Sequence, residues 1–190
     1  MNFRDWKERR YHIYLEDIEI ARKEIADVML FPEGDIICDL YALPSHNLQT
    51  YYAMLYKCGR HLEMVYARTE FYTSPHSEPI RMYSFADNKE AGKQPELDGR
   101  IITGIKHIPA ELERLAADII EKLPDEKYIQ EENHIIIDGV FQAIRVYEGS
   151  NVIKEAAYYD AEMIPLKDHN EFLTEELGSL YIKIGDLIGS

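Results

Sequence analysis

Cysteine is scarce in this chain: Cys38 and Cys58 are the only two among 190 residues, and they do not form a CxxC pair. A disulfide framework and a zinc ribbon both need more sulfur at closer spacing, so neither is expected. Long apolar runs are also missing. Stretches such as Val28 to Phe31 and Ile135 to Ile137 fall far short of the about 18 residues that a membrane span requires, so no membrane association is expected. The segment Met1 to Arg10 has basic residues but no apolar run behind them and no small-residue cleavage site, unlike a secretory signal. The expected compartment is therefore cytoplasmic.

Glycine-rich phosphate loops are absent as well. Neither GxGxxG nor GxxxxGK[ST] occurs, which excludes a Walker-type nucleotide site, and there is no GxSxG elbow for a serine nucleophile. The histidines His12, His46, His61, His76, His107, His134 and His169 are scattered, with no HxH or HExxH to set two imidazoles on one face. No metal and no cofactor are expected. Positive charge is in deficit too: 21 Lys and Arg against 35 Asp and Glu give a formal charge of -14, which disfavours nucleic acid and anionic lipid and favours a basic protein partner.

What the chain does contain is a normal globular mixture, 46% hydrophobic and 29% charged, with 14 tyrosines. Tyr14, Ile18, Ala21, Ile25 and Val28 advance by alternating four and three, which predicts a helix from Leu15 to Leu30 that Pro32 and Glu33-Gly34-Asp35 stop. Ile36 to Leu43, Thr50 to Cys58 and His61 to Tyr72 are rich in β-branched and aromatic residues and read as an antiparallel meander. Gly59-Arg60 fits a two-residue hairpin turn. That turn sets Leu55 opposite Met64 and Ala53 opposite Tyr66 on one face, and Met54 opposite Val65 and Tyr56 opposite Glu63 on the other. Neither face is cleanly polar, so cover on both sides is expected.

Ile80 to Phe85 and Arg100 to Lys106 read as further strands, separated by a polar loop at 86–99 that offers the one weak subdomain boundary in an otherwise single domain of 1–190. Pro109 suits the first position of a helix whose stripe is Leu112, Leu115, Ala116, Ile119, Ile120 and Leu123, ending at Pro124. A short strand is expected at His134 to Ile137, then a hairpin of Val140 to Tyr147 and Asn151 to Tyr158 across Glu148-Gly149-Ser150. The last helix should begin near Asp168, which with Glu171 resembles a capping box, and bury Leu173, Leu177, Leu180, Ile184 and Leu187. The sum is an α+β layout: mainly antiparallel sheet with three principal helices packed on it.

Few residues recommend themselves for chemistry. Cys58 and His61 flank a tight turn and could pair thiol with imidazole, but an exposed turn supplies no oxyanion hole, so ordinary hairpin-end residues are the plainer reading. Asp39 interrupts an apolar strand and needs either solvent or a cation, with Arg68 or Arg81 as partners; a salt bridge outweighs a catalytic base. Tyr51, Tyr52, Tyr56, Tyr66, Tyr72 and Tyr83 crowd the first sheet, more for packing than for recognition. Gly178 and Gly185 share a face of the last helix, where close approach to the sheet is the expected cause and a homodimer contact the alternative.

The leading expectation is a non-enzymatic, protein-binding domain that presents Glu113, Asp118, Glu121, Glu131, Glu132, Asp160 and Glu162 to a basic partner, its sharpest form an immunity-type inhibitor of a bacterial toxin. The alternative is an enzyme or ligand-binding domain with a pocket beside the tyrosine-rich sheet, lined by Asp39, Cys58, His61, Glu63 and Tyr66. A homo-oligomer subunit is the third.

Overall fold

The computed structural model describes residues 3–28, 31–43, 49–70, 84–86, 100–125, 128–129, 140–160 and 171–189. Helix α1 (Phe3–Val28) is followed by strands β1 (Asp35–Leu43), β2 (Tyr51–Cys58), β3 (His61–Glu70) and β4 (Arg100–His107), then helix α2 (Ala110–Lys122). Strands β5 (Tyr128–Ile129), β6 (Val140–Glu148) and β7 (Asn151–Asp160) precede helix α3 (Glu171–Gly189). The strands form one sheet in the order β4-β3-β2-β1-β6-β7-β5. All neighbours are antiparallel except β5, which runs parallel to β7. The α+β layout with three principal helices is therefore present.

Both faces of the sheet are covered, because the pleat sends alternate residues of each strand to opposite sides. Leu40, Ala42, Ala53, Leu55, Met64, Ile144 and Val146 pack under α2 and α3, with Leu112, Ala116, Ile119, Leu177, Leu180 and Ile184. Tyr41, Leu43, Tyr52, Met54, Val65, Ala67, Phe141 and Ala143 pack under α1, with Tyr14, Ile18, Ala21 and Ile25. Each isoleucine buried in these layers is worth about 1.5–3 kcal/mol of transfer free energy.

The hairpin registers follow from two glycines. Gly59 has φ +65° and Gly149 has φ +61°, a left-handed value that suits the first central position of a two-residue hairpin turn. Cys58 then faces His61 and Glu148 faces Asn151, and Leu55 meets Met64 and Met54 meets Val65 as the alternation requires. The second turn is tighter than the sequence suggests, since Glu148 belongs to the strand. In β1 the register shifts between Ile36 and Cys38. Beyond that bulge Asp39 points to the α1 side.

Several boundaries differ from expectation. Helix α1 starts at Phe3, twelve residues before Leu15, because no glycine or proline interrupts the chain before Pro32 and its charged residues are tolerant helix formers. Val28, expected in the buried stripe, is 68% exposed, since the helix ends there. Pro109 stands at the N-cap rather than inside α2. The strand expected over Ile80 to Phe85 falls mostly outside the described residues, and Phe85 itself is helical. His134 to Ile137 and Asp168 also lie outside them, whereas β5 had no signal of its own. A Cβ at Gly185 would come 3.5 Å from the Tyr51 ring, an ordinary contact, so α3 lies close to the sheet but does not demand glycine there. No described helix is long and apolar enough to cross a membrane.

Candidate functional site

Among the described residues the densest chemistry lies between α1 and the sheet, around Asp39. Its direct neighbours across the strands are Met54 on β2 and Arg145 on β6, and Arg22 reaches it from α1. The carboxylate is buried, with its side chain only 2% exposed. Its Oδ2 accepts hydrogen bonds from the Tyr52 hydroxyl at 2.7 Å, the Tyr147 hydroxyl at 2.8 Å, Arg22 Nη2 at 3.1 Å and Arg145 Nη2. Its Oδ1 accepts from Arg145 Nε at 2.9 Å. The two phenols are themselves acceptors: Arg22 Nε donates to Tyr52 and Arg22 Nη2 to Tyr147, each at 2.6 Å. Asp39 thus meets Arg22 and Arg145; of the two partners expected, Arg68 projects to the opposite face beside Tyr66, and Arg81 lies outside the described residues.

Electrostatics explains why these groups stay together. Burial alone would lower the pKa of Arg22 and of Arg145, but Tyr52, Tyr147 and Asp39 around the first, and Asp39 and two tyrosines around the second, outweigh it and hold both cationic. Burial, and then the Asp39 charge, pushes the Tyr52 and Tyr147 phenols well up, so both remain neutral donors. Oδ2 thus accepts four hydrogen bonds and Oδ1 one, all from side chains of this chain, so Asp39 is the anion that ties the two guanidinium groups together at this seam.

A second buried acid, Asp17 on α1, accepts from the Tyr41 hydroxyl at 2.5 Å and from the amides of Phe85 and Ala86 at 3.1 and 3.0 Å. It ties the segment before β4 to the helix. Asp17, Arg22, Arg145 and Tyr147 were not singled out from the sequence. The available signal was position: Asp17 and Arg22 adjoin Ile18 and Ala21 in the buried stripe of α1, and Arg145 alternates with Ile144 and Val146.

The proposed pocket set does not converge on one point. Cys58, His61 and Glu63 do gather at the β2–β3 turn on the α1 side of the sheet, joined by His107 opposite Glu63. The His61 and His107 rings are 5.3 Å apart and His61 Nε2 is 3.7 Å from Glu63. Desolvation, and then Glu63, pushes the Cys58 thiol up, away from the thiolate that a nucleophile needs. Tyr66 is on the other face, and Asp39 sits within its own network. Among the described residues no group of three His, Cys, Asp or Glu could hold a metal ion.

The expected partner-facing acids divide likewise. Asp118 and Glu121 are exposed on α2, whereas Glu113 accepts a hydrogen bond from the Leu62 amide and so fastens α2 to β3. Glu131, Glu132 and Glu162 lie outside the described residues, as does the side chain of Asp160. Around α2 and α3 most of the described cations are engaged internally, while the exposed Arg114 bonds the Ala110 carbonyl of its own helix. Lys183 pairs with Glu111 and Lys122 with Glu176 at 3.0 Å, which crosslinks the two helices antiparallel. Lys154 donates to the Ile120 and Leu123 carbonyls at the end of α2 and pairs with Asp125, and Lys106 donates to Leu187 O. Against known proteins, the chain matches no family model, no curated sequence and no solved structure.

Proposed function

We propose that this chain is a non-enzymatic protein-binding domain whose α2/α3 layer engages a basic partner, in the manner of an immunity-type inhibitor covering the cationic cleft of a toxin. One observation carries the reading. On that layer Lys122, Lys154 and Lys183 are ion-paired within the chain and Lys106 and Arg114 bond backbone carbonyls, while the exposed Asp118, Glu121, Glu175 and Asp186 enter no ion pair among the described residues. With three lysines ion-paired locally, the exposed acids outnumber Lys106 and Arg114 and bias the surface potential negative, which speeds encounter with a basic surface and selects against an acidic one. Ile182, 64% exposed one helical turn before Asp186, offers the apolar contact that a charged rim lacks.

The test is a binding titration against a panel of basic proteins at low and physiological salt. Association that slows as salt rises, and that Asp118→Lys with Glu121→Lys reduces by about tenfold or more, supports the reading. An absence of affinity for every basic protein at low salt removes it.

A further inference from the structure

We propose that Arg22 and Arg145, brought together over the Tyr147 ring, form a receptor for a small oxyanion, the phosphate or carboxylate group of a low-molecular-weight ligand, between α1 and the sheet. This site is on the face opposite the α2/α3 layer and does not depend on the partner-binding reading.

Charge accounting is the first argument. Two guanidinium groups converge on one carboxylate, and arginine cannot shed its proton to relieve the excess. The next acid on that face, Glu155, is opposite Arg145 in register, accepts from the Tyr14 hydroxyl at 3.4 Å and forms no ion pair with Arg22 or Arg145. Asp17 is taken by Tyr41 and two backbone amides. Among the described residues, Asp39 is the acid ion-paired with Arg22 and Arg145, so one carboxylate faces two guanidinium charges.

Donor accounting is the second. Arg22 bonds through Nε and Nη2, and Arg145 bonds through Nε and Nη2. Among the described residues Nη1 of neither makes a hydrogen bond, so each guanidinium keeps donors for a further acceptor. The Arg22 side chain is 37% exposed and gives access from solvent, while that of Arg145 is 12% exposed and gives the desolvation that strengthens a charge-assisted bond. Both guanidinium carbons lie over the Tyr147 ring, 5.6 and 5.8 Å from its centre, so one aromatic side chain brings the two cations together.

Rigidity is the third. Asp39 fixes both side chains, and the Tyr52 and Tyr147 hydroxyls hold Arg22 as well, so an arriving oxyanion would meet donors whose ordering entropy is already spent. A purely structural ion pair needs one arginine for one carboxylate; the second arginine, anchored yet with Nη1 open, is the feature that an anionic guest explains.

The experiment uses the full chain with inorganic phosphate and, separately, citrate, each matched in ionic strength with sodium chloride. The expected result is a saturable rise in thermal midpoint and a calorimetric binding isotherm beyond the chloride control, the stronger of the two anions showing which group the site prefers. Arg22→Gln, verified as folded by circular dichroism, should weaken that binding by at least about tenfold, and Arg60→Gln, in the exposed β2–β3 turn, should leave it unchanged. A measurement on the unaltered protein covers the case of an unfolded variant: the Nε–H resonances of Arg22 and Arg145 should shift saturably with the anion. The proposal is overturned if neither anion exceeds chloride, if folded Arg22→Gln binds as the parent does, or if those two resonances stay in place at saturating anion.

Discussion

Tyr66 on β3 and Gly104 on β4 are directly paired across the strands, and the phenol lies over the glycine so closely that a Cβ at position 104 would come 2.5 Å from its hydroxyl oxygen. The ring covers a gap in the edge strand of the sheet that a side chain would otherwise fill. Gly104→Ala should therefore destabilise the fold by about 1–3 kcal/mol through overpacking. Denaturant midpoints measure this, and the double variant with Tyr66→Ala tests the cause. The two losses should sum to less than additive; full additivity would show that the contact is not responsible.

Asp39→Asn keeps the shape of the side chain and removes its charge, leaving Arg22 and Arg145 facing a neutral amide. Stability should fall by about 3–5 kcal/mol, as for a broken buried ion pair. Adding Arg145→Met should recover part of that loss, because one of the uncompensated charges is then gone. A urea titration with unchanged slope reads both effects; a loss below about 1 kcal/mol would mean that the cluster is worth no more than a surface pair.

The buried phenols make stability depend on alkaline pH. Burial raises the pKa of Tyr51 and Tyr52 well above the ordinary 10.0, and Tyr147 is raised as well. Above that ordinary value the unfolded chain loses these protons while the folded chain keeps them, so the native state binds more protons and stability falls as pH rises. Stability should be flat in this respect below about pH 9 and decline above the ordinary tyrosine value. Absorbance of tyrosinate near pH 11 should increase on adding denaturant; equal ionisation in native and unfolded protein would contradict it.

The thiols should separate by accessibility. Cys38 is wholly buried, and desolvation with the neighbouring Asp39 charge pushes its thiol far up, whereas Cys58 is partly exposed and less strongly raised. In the native protein at neutral pH, a disulfide reagent should label Cys58 slowly and Cys38 only on unfolding. Rapid labelling of both thiols would indicate that the sheet opens at β1.

The sequence by itself determined the elements with a local cause. Apolar periodicity located the buried stripes of α1 and α2, β-branched and aromatic runs located β1 to β3, and Gly59 with its two-residue turn located the β2–β3 register, because each depends on residues close in the chain. The covering of both faces was also legible, from the lack of a clean polar alternation in β2 and β3. Tertiary structure alone decided that β1 pairs with β6, which puts Arg145 beside Asp39 although 106 residues separate them, and that α1 lies over that seam so that Arg22 arrives from above. It also decided that Glu113 is spent on the Leu62 amide and that β5 joins the far edge. Strand order across a sheet depends on long-range packing and loop closure, and no local propensity encodes it. That is why the need of Asp39 for a cation could be read in advance while the identity of its partners could not.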